Sequence, residues 1–207
     1  MNRKEKRSDT ELYESFLSGD TAAYDMLLIR YGDSLTMYLH NYLKDSHMSE
    51  DLMIEAFARI MVKKPRIGEG NFKAYLYKTG HNLALRYLKR NARLKIFSID
   101  GMEPEIAEYI LYNGTANNEN GFGRGSYGDP LDETLLKERQ QHIMLCMDRI
   151  EPELKEVLWL IYFENMTYAQ TAEVMGVKTK RVERLLVRAR EHMRREMKKE
   201  GITNAHE

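Results

Sequence analysis

A single cysteine, Cys146, stands among the 207 residues, so no internal disulfide can form, and no Cys/His cluster has the spacing of a zinc site. Proline is scarce as well, with four in the chain, and no apolar run approaches the roughly 20 residues that cross a bilayer. The opening stretch MNRKEKRSDTELYESF is charged and has no apolar segment of the kind that directs secretion. These absences argue against a disulfide scaffold, a zinc module and membrane insertion, and they predict a cytoplasmic protein. No nucleophile elbow, phosphate loop or dinucleotide fingerprint occurs either, so no catalytic residue, metal or cofactor is expected, and the chain does not read as an enzyme.

Alternation with period two, the mark of a half-buried strand, is nearly missing too. Helical periodicity dominates, and with an ordinary apolar fraction of 43% it predicts an all-α protein with a packed core. Helices are expected over 12–18, 21–43 and 49–62. A basic loop, Lys63 to Asn71, follows, in which Pro65, Gly68 and Gly70 stop the helix. A further helix is expected over 72–93. Phe97 to Pro130 is dense in Gly and Asn and reads as a flexible linker around 113–128, with a short helix at 104–111. Periodicity resumes at Asp132, restarts at Pro152 and runs to Phe163. The expected architecture is therefore two small helical domains, 9–95 and 132–199, joined by a flexible acidic linker, 96–131, with a disordered tail at 200–207.

The formal net charge is zero, yet the charges are segregated. From Lys178 to Lys199 ten cations, at 178, 180, 181, 184, 188, 190, 194, 195, 198 and 199, face only Glu183, Glu191 and Glu196. From Phe97 to Glu133 the balance reverses, with eight carboxylates against Arg124. A strongly basic stretch beside an acidic tether points to a polyanionic partner for the C-terminal part.

That part reads TYAQTAEVMGVKTKRVERLLVRAR, Thr167 to Arg190. Tyr168, Thr171, Ala172 and Met175 fall on one face of a first helix, Thr167 and Gln170 have capping-box spacing, and Gly176 suits a helix C-cap. In the second helix Val182, Leu185, Leu186, Ala189 and Met193 form a buried stripe, which turns Lys180, Arg184, Val187, Arg188 and Glu191 outward. A helix-turn-helix of this kind sets its second helix in the major groove, where early residues reach base edges and flanking cations hold phosphates. The plainer reading is a solvated basic face, which a run of charge alone would favour.

The run ELKEVLWLIYFENMTYAQTAEVMGVKTKRVERLLVRARE resembles region 4 of the sigma-70 superfamily, most closely its extracytoplasmic-function (ECF) branch. Pro152, Val157, Tyr168, Ala172, Gly176, Val182, Leu186, Arg188, Ala189 and Arg190 stand in register with that pattern. Lys178, Arg181 and Glu183 depart from it at the start of the reading helix, so they bear on which promoter is read rather than on fold. SEDLMIEAFARIM, Ser49 to Met61, resembles the family's AEDLVQEVFLRL-type region 2 helix, and FKAYLYKTGHNLALRYLKR, Phe72 to Arg90, resembles its FxxWLxxIAxNxxxDxLR helix. Tyr75 replaces the family's frequent Trp, and Arg86 its Asp.

The resemblance implies roles for these positions. The minus-35 duplex would meet Thr179, Lys180, Arg181, Glu183, Arg184, Val187 and Arg188. The separated minus-10 strand would meet the loop residues Lys63, Lys64, Arg66 and Asn71 and the helix residues Phe72, Tyr75, Lys78, Asn82 and Arg86, with Asn82 at the position that holds a flipped base. Aromatics among cations suit that task independently, because bases stack on rings while cations follow phosphates. Core RNA polymerase, through its beta and beta-prime subunits, would bind Glu50, Asp51, Leu52, Ile54, Glu55 and Phe57. Without the resemblance, Glu50, Asp51 and Glu55 read as a solvated acidic face near a helix start. Promoter DNA and an anti-sigma factor complete the implied partners, and the tether would thread the polymerase. Two alternatives stand beside this reading: a helix-turn-helix regulator that is not a polymerase subunit, and a helical scaffold whose basic face meets an acidic protein.

Overall fold

The computed structural model describes residues 7–97 and 142–200, with side-chain surroundings for 7–92 and 142–200. The tether, the short helix expected at 104–111, the start of the helix expected from 132 and the tail beyond 200 lie outside the described residues. Among those described, helix is the sole regular structure, as the periodicity predicts. They divide into two compact units, one holding 7–97 with 169–177 and the other 142–168 with 178–200.

The first unit is built on α1 (Asp9–Leu17), α2 (Thr21–Leu43), α3 (Ser46–Lys63) and α4 (Phe72–Phe97). Local chemistry sets each start. Ser8 and Glu11 close a capping box, the Glu11 carboxylate accepting from the Ser8 amide at 2.6 Å. The Asp20 carboxylate accepts from the Ala23 amide at the start of α2. Asp45 likewise accepts from the Met48 amide, at 3.1 Å, which starts α3 three residues before the expected Ser49. Left-handed Lys44 and Lys64 end α2 and α3, each amide bonding the carbonyl four residues back.

The core of this unit is the shared face of α2 against α1, α3 and α4. Leu12, Leu27, Leu35, Leu39, Ile60 and Leu76 are almost wholly removed from solvent; burial of one such side chain stabilises by about 1.5–3 kcal/mol. Gly80 marks the tightest approach of α4 to α2, because a Cβ there would stand 3.1 Å from the Leu35 Cδ1. The Tyr24 hydroxyl donates to the Phe57 carbonyl at 2.6 Å, tying α2 to α3 through a buried backbone group.

In the second unit, residues 142–148 are helical and α5 (Pro152–Leu158) opens with proline at its start. The helix expected to reach Phe163 does so, but Trp159–Phe163 widens into a π turn, closed by the Glu164 amide on the Trp159 carbonyl at 3.1 Å. The buried Trp159 indole donates to the Glu164 carboxylate, and its ring stacks on Phe163 at 4.6 Å. The helix α6 (Tyr168–Met175), which from residue 169 groups with the first unit, precedes α7 (Thr179–Lys199) in the chain, and within the second unit α7 packs on α5 through buried Val182, Leu185, Leu186 and Ala189. Met193, expected in that stripe, is half-buried.

Candidate nucleic-acid interface

In the first unit, the last turns of α3 and one face of α4 enclose an open cleft of about 160 Å³. Lys63, Tyr75, Asn82 and Arg86 line it, together with Arg59, Ile60 and Thr79. Tyr75, Thr79, Asn82 and Arg86 are spaced i, i+4, i+7 and i+11, so helical geometry alone brings them to one side of α4. The Arg59 guanidinium is held by Glu55, with Nε at 2.9 Å from the carboxylate, and the Thr79 hydroxyl donates to the Tyr75 carbonyl. The rim is thus cationic, with one half-buried ring and one amide. Arg59 and Thr79 were missed in the sequence reading; the helical spacing carried the signal for Thr79, while Arg59 comes from the neighbouring helix.

The other residues expected on the separated strand fall elsewhere. Phe72 is a correction: it is buried, 5.3 Å from the Tyr13 ring, because the first turn of α4 faces α1. Tyr77, another ring of the same helix, is buried against Tyr38 at 5.1 Å. Lys64 sets its ammonium 5.1 Å over Phe16, Arg66 and Asn71 lie exposed on the loop, and Lys78 is half-buried.

The surface expected to meet a protein partner divides in the same way. Glu50, Asp51 and Ile54 are exposed, Ile54 by 59%, and Glu55 is half-buried in its pair with Arg59. Leu52 and Phe57 are corrections, for both are buried and belong to the core that α3 shares with α2. Met61 and Val62 on α3 and Ile29 on α2 are exposed apolar residues that the sequence reading passed over.

At the C-terminal end of α6, Gly176 takes φ +67°, and the Val177 amide bonds the Ala172 carbonyl at 3.0 Å, which makes a Schellman-type stop. The buried face of α6 is Thr171, Ala172 and Val174; Tyr168 is exposed and Met175 half-buried, which corrects the face expected from spacing. On α7, Thr179, Lys180, Arg181, Glu183, Arg184, Val187 and Arg188 are all exposed. The Lys178 side chain forms no cap bond at the helix start. Arg181 reaches the Glu153 carboxylate at 2.6 Å and Arg188 that of Glu151 at 3.4 Å. Lys180 and Arg184 have no ion pair among the described residues. Further along, the Arg190 Nε donates to the Tyr162 hydroxyl at 2.7 Å.

Among the described residues no three His, Cys, Asp or Glu side chains gather as metal ligands, and no helix is long and apolar enough to cross a membrane.

Residues 27–94 match the family model for sigma-70 region 2, and residues 140–193 the model for sigma-70 region 4. The chain is 26% identical over 189 residues to the ECF RNA polymerase sigma-E factor of Haemophilus influenzae, which covers 90% of this chain and 94% of that protein. The sigma-E factor of Escherichia coli K12 is 24% identical, with coverage of 90% and 93%. Among solved structures, the sigma factor RpoE of Bartonella quintana, in complex with the anti-sigma factor NepR, superposes with a TM-score of 0.60 at 16% identity, over 84% of this chain and 96% of that one. CnrH, in complex with the cytosolic domain of CnrY, gives 0.56 at 18% identity, over 89% and 94%. At such identities these two structures share the fold.

Proposed function

The chain belongs to the sigma-70 superfamily, in its ECF branch, and on that premise we propose that it docks on core RNA polymerase and positions the enzyme by gripping two promoter elements at once. The front domain, 9–95, holds the separated minus-10 strand in the cleft of α3 and α4; the rear domain, 132–199, lays α7 along the minus-35 duplex; the segment 96–131 tethers the two. The observation that carries the reading is the convergence of Lys63, Tyr75, Asn82 and Arg86, with Arg59, on one open cleft. Cations there meet phosphates, the Tyr75 ring offers a stacking surface, and the Asn82 amide can both donate to and accept from a base edge. A base leaves its stack at a cost of a few kcal/mol, which such contacts offset.

Core polymerase meets Glu50, Asp51, Ile54 and Glu55 through its beta and beta-prime subunits. The exposed Ile54 and Val62 favour a protein partner on this helix, since bare apolar groups of this size gain from coverage. An anti-sigma factor, the class of partner that NepR is for RpoE, covers this face of α3 and keeps polymerase away. The chain contributes no catalytic group; polymerase supplies the chemistry, and the protein works beside it in the cytoplasm. A regulator that is not a polymerase subunit is disfavoured by the region 2 match over residues 27–94.

Run-off transcription with purified core enzyme over genomic fragments tests the reading. Discrete new start sites are expected when the protein is added, with fewer when Asn82→Ala replaces it. Failure to associate with core, or an unaltered set of start sites, would sink it.

A further inference from the structure

The loop 64–71 runs from Lys63, the last residue of α3 and part of the cleft lining, to Phe72 at the start of α4. Its ends are held by the helices, the Lys64 amide on the Ile60 carbonyl and the Tyr75 amide on the Asn71 carbonyl, and the Gly70 carbonyl accepts from the Gln170 side chain at 3.2 Å; the rest of its shape depends on a few bonds. One is internal, from the Asn71 amide to the Gly68 carbonyl at 3.1 Å. Two others come from α1. The Tyr13 hydroxyl donates to the Pro65 carbonyl at 2.8 Å, and the Thr10 hydroxyl accepts from the Gly70 amide at 3.1 Å. Thr10, Tyr13 and Phe16 recur every third residue, so they share one side of α1. Phe16 adds the third hold, with the Lys64 ammonium 5.1 Å above its ring. The loop is therefore fastened near its start and near its end by a helix that lines no part of the cleft.

That helix is itself fixed. Its capping box ties the first turn, and Asp9 binds both the Arg30 guanidinium and the Tyr31 hydroxyl of α2. The Tyr13 ring is 4% exposed and lies against Phe16 and Phe72, which leaves its hydroxyl one direction to point. Burial pushes the phenol up to about 12, so it stays a donor throughout the physiological range.

We propose that Tyr13 and Thr10 are positioning residues for strand recognition: by holding Pro65 and Gly70 they set the loop 64–71 in the one conformation that presents its polar groups to the separated strand. The inference rests on the reading of the cleft as the minus-10 strand site. Freed of one bond, the loop samples other shapes, and affinity falls by the fraction of time spent in the competent one. A neutral hydrogen bond of ordinary strength makes that about 3- to 10-fold. Discrimination falls along with affinity, because a mobile loop fits wrong bases as readily as right ones.

The test uses holoenzyme reconstituted from the full chain and core polymerase, with labelled single-stranded oligonucleotides carrying the minus-10 element of a promoter it transcribes and single-base variants of that element. Tyr13→Phe keeps the ring and removes the donor; Thr10→Val removes the acceptor at similar shape, and Thr10→Ser restores it. Expected are binding weaker by about 3- to 10-fold and a reduced ratio between best and altered sequences for Tyr13→Phe and Thr10→Val, with Thr10→Ser close to the parent. Association with core and binding of minus-35 duplex stay unchanged, which separates positioning from loss of fold. A selectivity ratio that survives both substitutions in a selective parent overturns the role of α1 alone. A parent holoenzyme with no minus-10 selectivity overturns the strand-site reading and this inference together.

Discussion

The Arg181 guanidinium lies 2.6 Å from the Glu153 carboxylate, a bond that joins the first turn of α7 to the first turn of α5. Arg188 makes the same kind of pair with Glu151, at 3.4 Å, two turns further on. Both pairs are exposed, a setting in which such bonds are worth about 0–1 kcal/mol, so a phosphate can displace the carboxylate. Glu153→Gln should therefore strengthen binding to minus-35 duplex, by about 2- to 5-fold, and steepen its salt dependence by up to one phosphate contact. Fluorescence anisotropy at several salt concentrations measures both, and an unchanged slope would show that Arg181 reaches no phosphate.

Arg184 and Arg188 stand on the same exposed side of α7, but only Arg188 already has a carboxylate partner. Replacing either by Ala should flatten the salt slope by about one phosphate. The loss in affinity should be larger for Arg184→Ala, since Arg188 must first leave Glu151. Equal losses at low salt would contradict that ranking.

Asn82 offers the amide in the cleft. Asn82→Ala is expected to slow strand opening by about tenfold, the effect of losing one well-placed contact to a base. Permanganate reactivity of unpaired thymines in the promoter reads this directly. Co-elution with core polymerase should be unaffected, because the substitution lies away from Glu50, Asp51 and Ile54.

Gly176 takes φ +67° and has open space where a Cβ would stand. Gly176→Ala thus meets no neighbour, and its cost is the left-handed backbone alone, about 1–2 kcal/mol. Chemical denaturation should show that loss. A larger one would mean that the turn has a contact beyond its backbone geometry.

The Ser8 amide, and after it the Ser8 hydroxyl, hold the Glu11 carboxyl below its ordinary value of 4.5. A carboxylate depressed on folding lends stability that is fully present above 4.5 and fades as pH falls through the lower folded value. The difference in melting temperature between the parent and Glu11→Ala should accordingly be constant near neutrality and narrow at more acid pH. A difference that does not change with pH would assign the capping bond no ionic part.

The helices were legible in the sequence because their causes are local. Asp20 and Asp45 start helices by accepting from amides three residues on, Pro152 opens one with its fixed φ, Gly176 ends one in the left-handed region, and the stripe Val182, Leu185, Leu186, Ala189 recurs with the helical period. The identity of the two modules was legible for a related reason, since each motif is a single run of chain. Which side of a helix is covered depends on residues far along the chain, and periodicity cannot state it. Leu52, Phe57 and Phe72 are therefore expected at a binding surface and lie in the core, because α1 and α2 occupy the sides toward which they turn.

The amino-acid order by itself determined an all-α chain, the run of its main helices though not the first residues of α1 and α3, and the outward basic side of α7, since the 3.6-residue period acts over a few residues. Only the tertiary structure decided that Arg59 and Lys63 meet Tyr75, Asn82 and Arg86 at one cleft, that Glu153 holds Arg181, and that Tyr13 holds Pro65. Each of these joins groups on separate elements, and their distances follow from how the helices pack, which the chemistry of neighbouring residues leaves open.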